Sequence, residues 1–499
     1  MSTAHLAIDL GASSGRAIVG VLEGRPVRLR MEEVHRFKHL ACPTPAGPVW
    51  DLTGIWQSIL TGLRAGAAWC RENDVELQTI GVDTWGVDWT LLGKSGELLT
   101  LPHCYRDPQN EPASERVLEQ LGGFERLYSR TGIQLLPFNT LFQVAARYEQ
   151  EPKLFDAADR LVFVPDLLSY WLSGEVATER TIASTSSIIS VETGDWDYEL
   201  LSQLGLPTPI LGPIVEPGTK LGPLLGEVAD ATGASSSVQV VATASHDTAA
   251  AIAAVPATGD ASWAYVSSGT WSLLGAELDS PLVTEAARAV PFTNEQGIGQ
   301  TVRFLKNIAG MWFVQQYRQD LEKQGEQWDF AQMTSEAEAE EPFRTLVDPN
   351  SPDFASAGNI VEKMRLCARR TEQPEPETVG QAVRCWLESL ALSYRHTLEQ
   401  LESVVGQTFD ELHIVGGGIQ NKLLNQMTAD TLCRPVICGP VEATAIGNVM
   451  VQAMGSGEVS DISELRQIVA RSSELERYEP GAGQLGDEIV NRFSSLLGK

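Results

Sequence analysis

At 499 residues the chain is too long for one hydrophobic core, so about two to four domains are expected. Hydrophobic residues make up 43% and charged residues 20% of the sequence, which is ordinary for a soluble globular protein, and no apolar run reaches the roughly 18 residues of a membrane span. The formal net charge of −28 argues against a nucleic-acid-binding protein, although backbone amides and a few basic side chains can still hold a nucleotide.

A hairpin is predicted at the start of the chain. Two β-prone runs, residues 6–10 and 17–22, flank a small polar turn at residues 11–16. The closely spaced amides and hydroxyls of such a turn can wrap phosphate oxygens. Asp9, at the end of the first strand, can hold a magnesium ion through water. A plain structural hairpin with a glycine-rich turn fits the same residues.

A predicted helix over residues 52–71 leads to the segment TIGVDTWGVDWTLL, residues 79–92, which is typical of a strand, a bend and a second strand. At the bend, Asp83, Trp85, Gly86 and Asp88 are an unusual polar and aromatic set for a core. Glycine lets a ligand approach the backbone closely, and indole faces with carboxylates suit a polyol. A structural turn explains this segment equally well.

The middle of the chain is less regular. Arg106 and Asp107 lie in a loop before a helix, where they either reach a substrate or form a surface ion pair. Residues 138–152 and 161–175 are predicted to be helical, and residues 205–237 are rich in proline and glycine. We place the transition between domains near residues 240–255.

At that transition, the segment VQVVATASHDTAAAIAA, residues 238–254, runs from a β-prone strand into an alanine-rich helix. Ser245, His246, Asp247 and Thr248 form the junction. A helix N-terminus offers free backbone N–H groups and favours the ionised form of a carboxylate, so Asp247 is a candidate proton acceptor. The alternative is that Asp247 only caps the helix.

The segment SWAYVSSGTWSLLGAEL, residues 262–278, repeats the pattern of the first hairpin: a strand, a Ser/Gly/Thr turn and a strand. Two such hairpins, one at the start of each half, indicate an internal duplication. If the two turns face each other across a cleft, they form a clamp for the phosphates of ATP.

Further along, residues 303–320 are predicted to be a loop entering an amphipathic helix, with Asn307 near the start of the helix and Gln315 on its body. Residues 378–404 are predicted to form a long helix. Residues 410–436 follow the pattern of strand, glycine turn and helix, in which Gly416, Gly417 and Gly418 let a flat base lie against the backbone. A small-residue helix is expected at residues 439–458, and the last forty residues are expected to be helical and peripheral.

The cysteine pattern indicates a reduced, cytoplasmic enzyme. The seven cysteines are widely spaced and include no CxxC motif, which argues against a zinc site or a disulfide framework. Cys367 with Cys385, or Cys433 with Cys438, remain possible pairs. The N-terminus lacks a basic region followed by a long apolar run, so we do not expect secretion.

Four motifs in the same order resemble the FGGY carbohydrate kinases: IDLGASSGR at residues 8–16, ASHDT at 244–248, SSGTWS at 267–272 and HIVGGG at 413–418. The resemblance covers roughly residues 5–455. It implies an α/β, two-lobed, actin-like or Hsp70-like ATPase fold of duplicated ribonuclease H-like domains with an interdomain cleft. It implies ATP and Mg²⁺ as cofactors, a small ketose as substrate, no nucleic-acid or membrane partner, and a monomer or small homo-oligomer.

Carried over position by position, the resemblance implies that Asp247 is the general base and that Asp9 helps to place magnesium. The implied sugar-binding residues are Gly86, His246, Asp247, Thr248 and Asn307, to which we add Asp83, Asp88 and Arg106 from their chemistry and position. The implied ATP-binding residues are Ala12, Ser13, Ser14, Gly15, Arg16, Thr270, Gln315 and Gly417.

The resemblance also implies three regions. Residues 1–244 would form an N-terminal domain with the sugar site and the first phosphate hairpin. Residues 245–455 would form a C-terminal domain with the catalytic base, the second hairpin and the adenine loop. Residues 456–499 would form a helical tail packed on the second domain.

Among family members, the segment DTWGVD, residues 83–88, resembles those acting on L-rhamnulose, a 6-deoxy ketose. The expected activity is therefore ATP-dependent phosphorylation of its 1-hydroxyl. The alternatives are a kinase for L-fuculose, ribulose or xylulose, an actin-like or Hsp70-like ATPase without sugar kinase activity, and a silent sugar sensor.

Overall fold

The computed structural model describes residues 2–481 and 485–498. Its strands in the first half of the chain are β1 (Ser2–Leu10), β2 (Ser14–Glu23), β3 (Arg28–Lys38), β4 (Ala41–Thr44), β5 (Gly47–Trp50), β6 (Val75–Thr84), β7 (Trp89–Gly93), β8 (Ala158–Phe163), β9 (Thr178–Glu179), β10 (Ile214–Val215), β11 (Thr219–Pro223) and β12 (Gln239–Ala242). Those in the second half are β13 (Trp263–Ser268), β14 (Trp271–Leu278), β15 (Thr293–Gln296), β16 (Val302–Ala309), β17 (Glu411–Val415), β18 (Val436–Cys438) and β19 (Glu476–Tyr478).

The helices of the first half are α1 (Leu52–Glu72), α2 (Asn110–Leu121), α3 (Phe124–Thr131), α4 (Thr140–Gln150), α5 (Pro152–Ala157), α6 (Val164–Ser173), α7 (Arg180–Ala183), α8 (Tyr198–Gln203), α9 (Gly226–Thr232) and α10 (Asp247–Ala253). Those of the second half are α11 (Glu285–Ala289), α12 (Trp312–Lys323), α13 (Phe330–Ala339), α14 (Ile360–Arg370), α15 (Val379–Val405), α16 (Lys422–Leu432), α17 (Ala443–Ser456), α18 (Ile462–Ser472) and α19 (Asp487–Ser494).

The chain divides into two compact units, each assembled from separate stretches of sequence. The first contains residues 2–254, Glu277–Phe304 and Ala443–Ser472, and the second contains Val255–Ala276, Leu305–Glu442, residues 473–481 and residues 485–498. Helix α18 therefore belongs to the first unit, whereas β19 and α19 belong to the second. The predicted domain boundaries at 244/245 and 455/456 stay a prediction.

The first unit is built on a six-stranded sheet in the order β11-β12-β6-β1-β2-β3. Strand β1 pairs antiparallel with β2 and parallel with β6, and β6 pairs parallel with β12. Leu6, Ile8, Ile80 and Val82 are fully buried and contribute to the core of this unit. Since β1 and β6 are parallel, their carboxyl ends meet at the same edge of the sheet.

The second unit contains a sheet with the strand order β16-β14-β13-β17-β18-β19. Strand β13 pairs antiparallel with β14 and parallel with β17, and β17 pairs parallel with β18. The long helix α15 contributes Trp386, Leu390 and Tyr394, all of them buried. The glycine turn after β17 is a single 3₁₀ turn at Gly417–Gln420.

Most elements expected from the sequence are present. The first hairpin is confirmed, with strands longer than predicted, so that only residues 11–13 form its turn. The helix predicted over residues 52–71 corresponds to α1, the long helix over 378–404 to α15, and the strand-to-helix junction to β12 and α10. The second hairpin and the strand–glycine turn–helix pattern are also confirmed.

Three expectations were wrong. Residues 161–163 end strand β8, which pairs with β7, and only the residues after them are helical. Residues 302–309 form strand β16, so Asn307 lies in a strand and not near the start of a helix. Within the described part of the last forty residues, 476–478 form β19, which pairs with β18. For residues 161–163 a short apolar run fits both a buried strand and a helix. For β19, whose three residues are polar or aromatic, only the pairing with β18 shows the strand.

Two expected absences can be compared with the described residues. All seven cysteines are free thiols there, including Cys367, Cys385, Cys433 and Cys438. No helix in the described part of the chain is both long enough and apolar enough to cross a membrane.

Candidate active site

Acidic side chains gather where β1 and β6 end. Asp9 and Asp83 are direct partners in the parallel register of these strands, and Asp9 is also the antiparallel partner of Arg16 on β2. The Arg16 guanidinium donates to the Asp9 carboxylate. Both carboxylates are buried, with Asp83 fully enclosed. The sheet register therefore places two carboxylates and one cation at a single edge.

Among the described residues, only one of the two Asp83 carboxylate oxygens has a hydrogen-bond partner. Asn448 on α17 donates from Nδ2 to Asp83 Oδ2 at 2.5 Å, whereas Asp83 Oδ1 is buried without a hydrogen-bond partner among the described residues. Burial raises the pKa of Asp83 well above its usual value, and the nearby charges of Asp9 and Asp247 raise it further. An unpartnered carboxylate oxygen in a buried site indicates that a ligand, an ion or water completes the site.

The first hairpin turn is open to solvent at its tip. Ala12 and Ser13 are exposed and Ser14 is half-buried. The Gly11 N–H donates to Ser14 O at 3.0 Å, and the His39 N–H donates to Ser13 O at 3.2 Å. The turn is thus anchored through its carbonyls, which leaves the side chains of Ala12 and Ser13 at the surface.

Gly15 and Arg16 lie beyond the turn, in β2. A Cβ atom on Gly15 would collide with the Phe37 ring and the Leu10 side chain, so this position requires glycine because of close packing. Arg16 is half-buried, which is consistent with a cation fixed in the site by Asp9.

The bend after β6 lies against the junction before α10. The Thr84 N–H donates to Ser245 O at 2.9 Å. A Cβ atom on Gly86 would lie 3.3 Å from His246 Nε2 and 3.3 Å from Thr185 Cγ2. Gly86 therefore lies next to Ser245 and His246, although it is far from them in the sequence.

Asp88 is enclosed by hydrogen-bond donors. Its Oδ2 accepts from Trp50 Nε1 at 2.6 Å, Trp85 Nε1 at 2.9 Å and the Tyr105 N–H at 3.2 Å, and its Oδ1 accepts from Gln143 Nε2 at 3.1 Å. Burial raises the pKa of Asp88 to about 7, and these four hydrogen bonds oppose the rise. The carboxylate fixes the two indole rings, whose centroids are 4.2 Å apart.

Asp247 is the first residue of α10, and His246 occupies the capping position without a side-chain cap. The Asp247 carboxylate accepts from Thr248 Oγ1 at 3.1 Å, and 31% of its side-chain surface is exposed. The helix terminus was expected to favour ionisation. The pKa of Asp247 is instead raised above 3.8, because withdrawal from bulk solvent outweighs the charge of His246 and the hydrogen bonds from Thr248.

His246 has charged neighbours on both sides of its ring. Its Nε2 is 3.4 Å from Asp247 Oδ1, and its Nδ1 is 3.3 Å from Glu295 Oε2 and 3.2 Å from Arg303 Nη2. Arg303 Nη1 lies 3.0 Å from Glu295 Oε2. Although burial alone would raise the pKa of Glu295, the Arg303 charge and His246 lower it to about 2.

The backbone of the junction is fixed by another buried carboxylate. Glu179 Oε2 accepts from the Ser245 N–H at 3.1 Å and from Thr181 Oγ1 at 2.6 Å, and Thr181 Oγ1 in turn accepts from the His246 N–H at 3.2 Å. Glu179 is completely buried, and burial raises its pKa. This network sets the position from which His246 and Asp247 project.

In the second unit, the second hairpin turn packs against α12. The turn contains only Gly269 and Thr270. Thr270 Oγ1 donates to Gln315 Oε1 at 3.1 Å, and the Trp312 N–H donates to Thr270 O at 3.2 Å. Two residues predicted to contact ATP are therefore hydrogen-bonded to each other, and both are half-buried.

The three glycines after β17 have different surroundings. Gly416 has a φ of 91°, and a Cβ atom there would lie 2.8 Å from Ser268 O. A Cβ atom on Gly418 would collide with Ser268 Oγ, whereas one on Gly417 would meet no atom within 4 Å. Gly416 and Gly418 are thus required by close packing on the hairpin, and Gly417 borders open space.

The remaining predicted site residues lie outside the hydrogen-bond networks described above. Asn307 is half-buried in β16. Arg106 is exposed and lies over the Tyr105 ring, 5.3 Å from its centroid. Asp107 pairs with His103 at 2.9 Å rather than with Arg106. The predicted roles of Asn307, Arg106, Asp83 and Asp88 in sugar binding stay predictions.

A family model for the N-terminal domain of the FGGY family of carbohydrate kinases matches residues 4–253, and the model for its C-terminal domain matches residues 264–456. The chain belongs to the FGGY family of carbohydrate kinases. A rhamnulokinase of Bacteroides thetaiotaomicron is 43% identical over 501 aligned residues and covers 100% of both chains. A rhamnulokinase of Bacillus subtilis is 38% identical and covers 95% of each chain. The predicted family and its likeness to L-rhamnulose kinases are confirmed.

Solved structures of a xylulose kinase and a glycerol kinase share the fold. A xylulose kinase of Rhodospirillum rubrum has a TM-score of 0.78 at 19% identity and covers 98% of this chain and 97% of its own. A Plasmodium falciparum glycerol kinase with ADP has a TM-score of 0.77 at 15% identity, covering 99% and 97%. The predicted fold class, an α/β two-domain actin-like ATPase fold, is confirmed, and the protein is a carbohydrate kinase.

Sequence reasoning missed four residues around the first unit of this FGGY kinase: Glu179, Glu295, Arg303 and Asn448. All four are buried and polar or charged. Glu179 lies in a Thr- and Ser-rich segment, and Asn448 is a polar residue inside a small-residue helix, which was a usable signal. Glu295 and Arg303 had none, because only the tertiary structure brings them to His246.

Among the described residues, no group of three or more His, Cys, Asp or Glu side chains is arranged to hold a metal ion. Magnesium in a kinase is commonly bound by only one or two carboxylates, its other ligands being water and phosphate oxygens. The pair of Asp9 and Asp83 fits that donor set, because Asp83 Oδ1 is buried and has no hydrogen-bond partner in the described chain.

Proposed function

We propose that this FGGY kinase transfers the γ-phosphoryl group of ATP to the 1-hydroxyl of L-rhamnulose, giving L-rhamnulose 1-phosphate and ADP. The observation that carries the proposal is the contact of the Gly86 bend with His246, directly beside Asp247. A carboxylate, an imidazole and a bare backbone in one place suit a polyol that must give up a proton. Relatives named rhamnulokinase that cover 100% and 95% of this chain support the choice of ketose.

Asp247 is the proposed proton acceptor. The oxygen of the sugar 1-hydroxyl forms a bond to the γ-phosphorus, the bond from that phosphorus to the bridging oxygen breaks, and the hydroxyl proton passes to the Asp247 carboxylate. Phosphoryl transfer has a loose transition state, so the base acts mainly by position. A raised pKa brings Asp247 closer to neutrality, where a general base is most effective.

For the sugar, the proposed contacts are Gly86, His246, Thr248 and Asn307, with Asp83, Asp88 and Arg106 as weaker candidates. Gly86 and His246 are neighbours in the first unit, as a sugar that contacts both of them requires. Asp88 is enclosed by four donors, so its contribution would pass through the two indoles it holds, Trp50 and Trp85.

For ATP, the proposed contacts are the first hairpin in the first unit, and Thr270, Gln315 and Gly417 in the second unit. The first-hairpin residues are Ala12, Ser13, Ser14, Gly15 and Arg16. Exposed turn residues and the open space beside Gly417 support these assignments. Arg16 is a fixed cation that can neutralise charge developing on a phosphate.

Asp9, together with Asp83, would hold Mg²⁺ through water. When bound, the ion neutralises phosphate charge and helps to orient the phosphates. Arg16 beside Asp9 keeps that carboxylate in place. A cytoplasmic location and a monomer or small homo-oligomer complete the proposal.

A panel of ketoses tests the proposal: L-rhamnulose, L-fuculose, ribulose and xylulose, each with Mg-ATP and coupled detection of ADP. The highest kcat/KM is expected for L-rhamnulose, with the phosphate on O1 of the product by ³¹P–¹H NMR. A preference for another ketose would assign the chain to that substrate. ATP hydrolysis that no ketose stimulates would favour an ATPase, and ketose binding without ADP release would favour a sensor.

A further inference from the structure

The two ring nitrogens of His246 have different neighbours. Nε2 faces the junction, 3.4 Å from Asp247 Oδ1 and beside Gly86. Nδ1 lies on the interior side, between Arg303 and Glu295. His246 is 8% exposed, Glu295 7% and Arg303 1%, so the interior side is closed to bulk water. Which nitrogen carries the proton is therefore set by the protein and not by solvent.

Arg303 and Glu295 favour opposite states of His246 Nδ1: Arg303 favours a bare nitrogen, and Glu295 favours a protonated one. A guanidinium can only donate, and an ionised carboxylate can only accept. Arg303 Nη1 already lies 3.0 Å from Glu295 Oε2, so the carboxylate is matched by a cation before His246 is counted. Arg303 Nε donates to the Gln296 carbonyl at 2.9 Å, which fixes the plane of the guanidinium. Nη2 remains, and it lies 3.2 Å from His246 Nδ1.

We propose that Arg303 donates a hydrogen bond to Nδ1 of a neutral His246 and thereby holds the tautomer with the proton on Nε2. Two N–H groups cannot point at each other, so the guanidinium excludes a proton from Nδ1. Glu295 balances the charge of Arg303, and the Nε contact to the Gln296 carbonyl keeps the guanidinium in place. Arg303 is thus a positioning residue that acts through His246, without contact to the reacting atoms.

The consequence is a defined donor next to the proposed base. Nε2–H can donate to Asp247 Oδ1 in the free enzyme, and to a sugar oxygen or Asp247 when substrate is bound. Without Arg303, Glu295 would accept Nδ1–H, and the lone pair on Nε2 would then face the Asp247 carboxylate. The Nε2 lone pair would repel the Asp247 carboxylate, and Nε2 could no longer donate a hydrogen bond. The catalytic part of this inference rests on the proposed function, whereas the tautomer does not.

The tautomer can be measured on the full chain without sugar. Protein labelled with ¹⁵N-histidine is recorded by long-range ¹H–¹⁵N correlation, and the His246 signals are assigned by their loss in His246→Asn. The Nε2–H tautomer is expected in the wild type and in Glu295→Gln, where Arg303 still donates. The Nδ1–H tautomer is expected in Arg303→Met. Arg466→Met, which breaks another buried Arg–Glu pair in the first unit, is the matched control and should leave His246 unchanged.

Kinetics give the second readout. Arg303→Met is expected to raise the ketose KM and to lower kcat by about tenfold or more, with the ATP KM within about twofold of wild type. Arg466→Met should change neither by more than about twofold. If Arg303→Met does not fold, as judged by circular dichroism, Arg303→Lys replaces it, because a single ammonium cannot keep both the Glu295 and the Nδ1 contacts.

The inference is overturned by any of three results. These are an Nδ1–H or doubly protonated ring in the wild type, an unchanged tautomer in folded Arg303 variants, and a tautomer change in Glu295→Gln alone. A ketose other than L-rhamnulose as the preferred substrate would overturn the proposed function and leave the tautomer result intact.

Discussion

The two units of the protein contain sheets with the same strand order. In the first unit it is β11-β12-β6-β1-β2-β3, and in the second the corresponding strands are β19-β18-β17-β13-β14-β16. The directions agree as well: β1 and β13 each pair antiparallel with the next strand and parallel with a later one. The duplication predicted from the two hairpins therefore extends to the whole sheet.

The chemistry at the strand ends is not duplicated. In the first unit β1 and β6 end at Asp9 and Asp83, with Arg16 on β2. In the second unit the corresponding register pair at the ends of β13 and β17 is Ser267 with Val415, followed by Ser268 and three glycines, all of them uncharged. The comparison teaches that the same backbone arrangement carries two kinds of strand end: buried charged side chains in the first unit, and close backbone packing in the second.

The largest expected effect comes from removing charge in the first unit. Asp247→Asn keeps the shape of the side chain but cannot accept a proton at neutral pH. We expect kcat for the ketose to fall by at least about 100-fold, the scale of general-base loss, with unchanged thermal unfolding and ATP binding. Asp230→Asn, an exposed carboxylate on α9, is the control and should retain wild-type turnover. Wild-type turnover by Asp247→Asn would remove the base assignment.

Gly86→Val tests the shape of the proposed sugar site in the first unit. A Cβ atom at this position already lies 3.3 Å from His246 Nε2 and Thr185 Cγ2, so the two further methyl groups fill the proposed sugar site. We expect kcat/KM for the ketose to fall by at least about tenfold, since overpacking displaces contacts, while background ATP hydrolysis changes far less. Gly226→Val, where no atom lies within 4 Å of the added Cβ, is the matched control. An equal loss of both activities would indicate a folding defect.

The glycine turn of the second unit offers a matched pair. Gly418→Ala places a Cβ atom 2.8 Å from Ser268 Cβ and against its hydroxyl, so we expect a loss of about 1–3 kcal/mol of stability from overpacking. Gly417→Ala adds a methyl group in open space, and its stability should stay within about 0.5 kcal/mol of wild type. If Gly417 contacts ATP, its variant should instead raise the ATP KM about threefold or more, in line with the loss of about 0.7 kcal/mol of binding. Denaturant unfolding and ATP titration separate the two, and an unstable Gly417→Ala with normal KM would contradict the assignment.

Local patterns in the sequence were sufficient for the hairpins, the long helices and the Asp247 junction. These depend on alternation, helical spacing and the residue types at a turn, all of which act over a few residues. The strand that contains Asn307 was not predictable in this way, because the residue pattern around it fits a strand as well as a helix. Pairing of β16 within its sheet settled the choice.

The site was predictable only where a residue's own chemistry marks it. Asp247 stood out between a strand and a helix, but the direction of its pKa change depends on burial, which sequence does not give. Arg303 and Glu295 reach His246 from 57 and 49 positions away. Asp88 was marked as a sugar ligand from its aromatic neighbours, yet the donors around it come from four separate segments.

Asp88 gives the smallest expected effect on turnover, and its variant tests whether this carboxylate supports the structure, in contrast to the proposed base Asp247 in the same unit. Burial raises its pKa to about 7 in the folded state, against 3.8 when exposed. Between about pH 4 and pH 7 the folded state therefore binds more protons than the unfolded state, and this group makes stability fall as pH rises. From about pH 5 to pH 7 the loss amounts to about 2 kcal/mol, because each pKa unit corresponds to about 1.4 kcal/mol.

Asp88→Asn cannot titrate, so its denaturation midpoint should decline less than that of wild type over this pH range, while kcat stays within about threefold because the two indoles retain an acceptor. Denaturant unfolding of both proteins at about pH 5 and pH 7 measures the difference, with Asp230→Asn as the control that keeps the wild-type dependence. If Asp88→Asn raised the ketose KM more than tenfold and left the pH dependence unchanged, Asp88 would be a sugar ligand rather than the support of Trp50 and Trp85. In that case, ligand-binding carboxylates of the first unit would lie at the bend after β6 as well as at the strand ends. The difference between the two units would then include this bend.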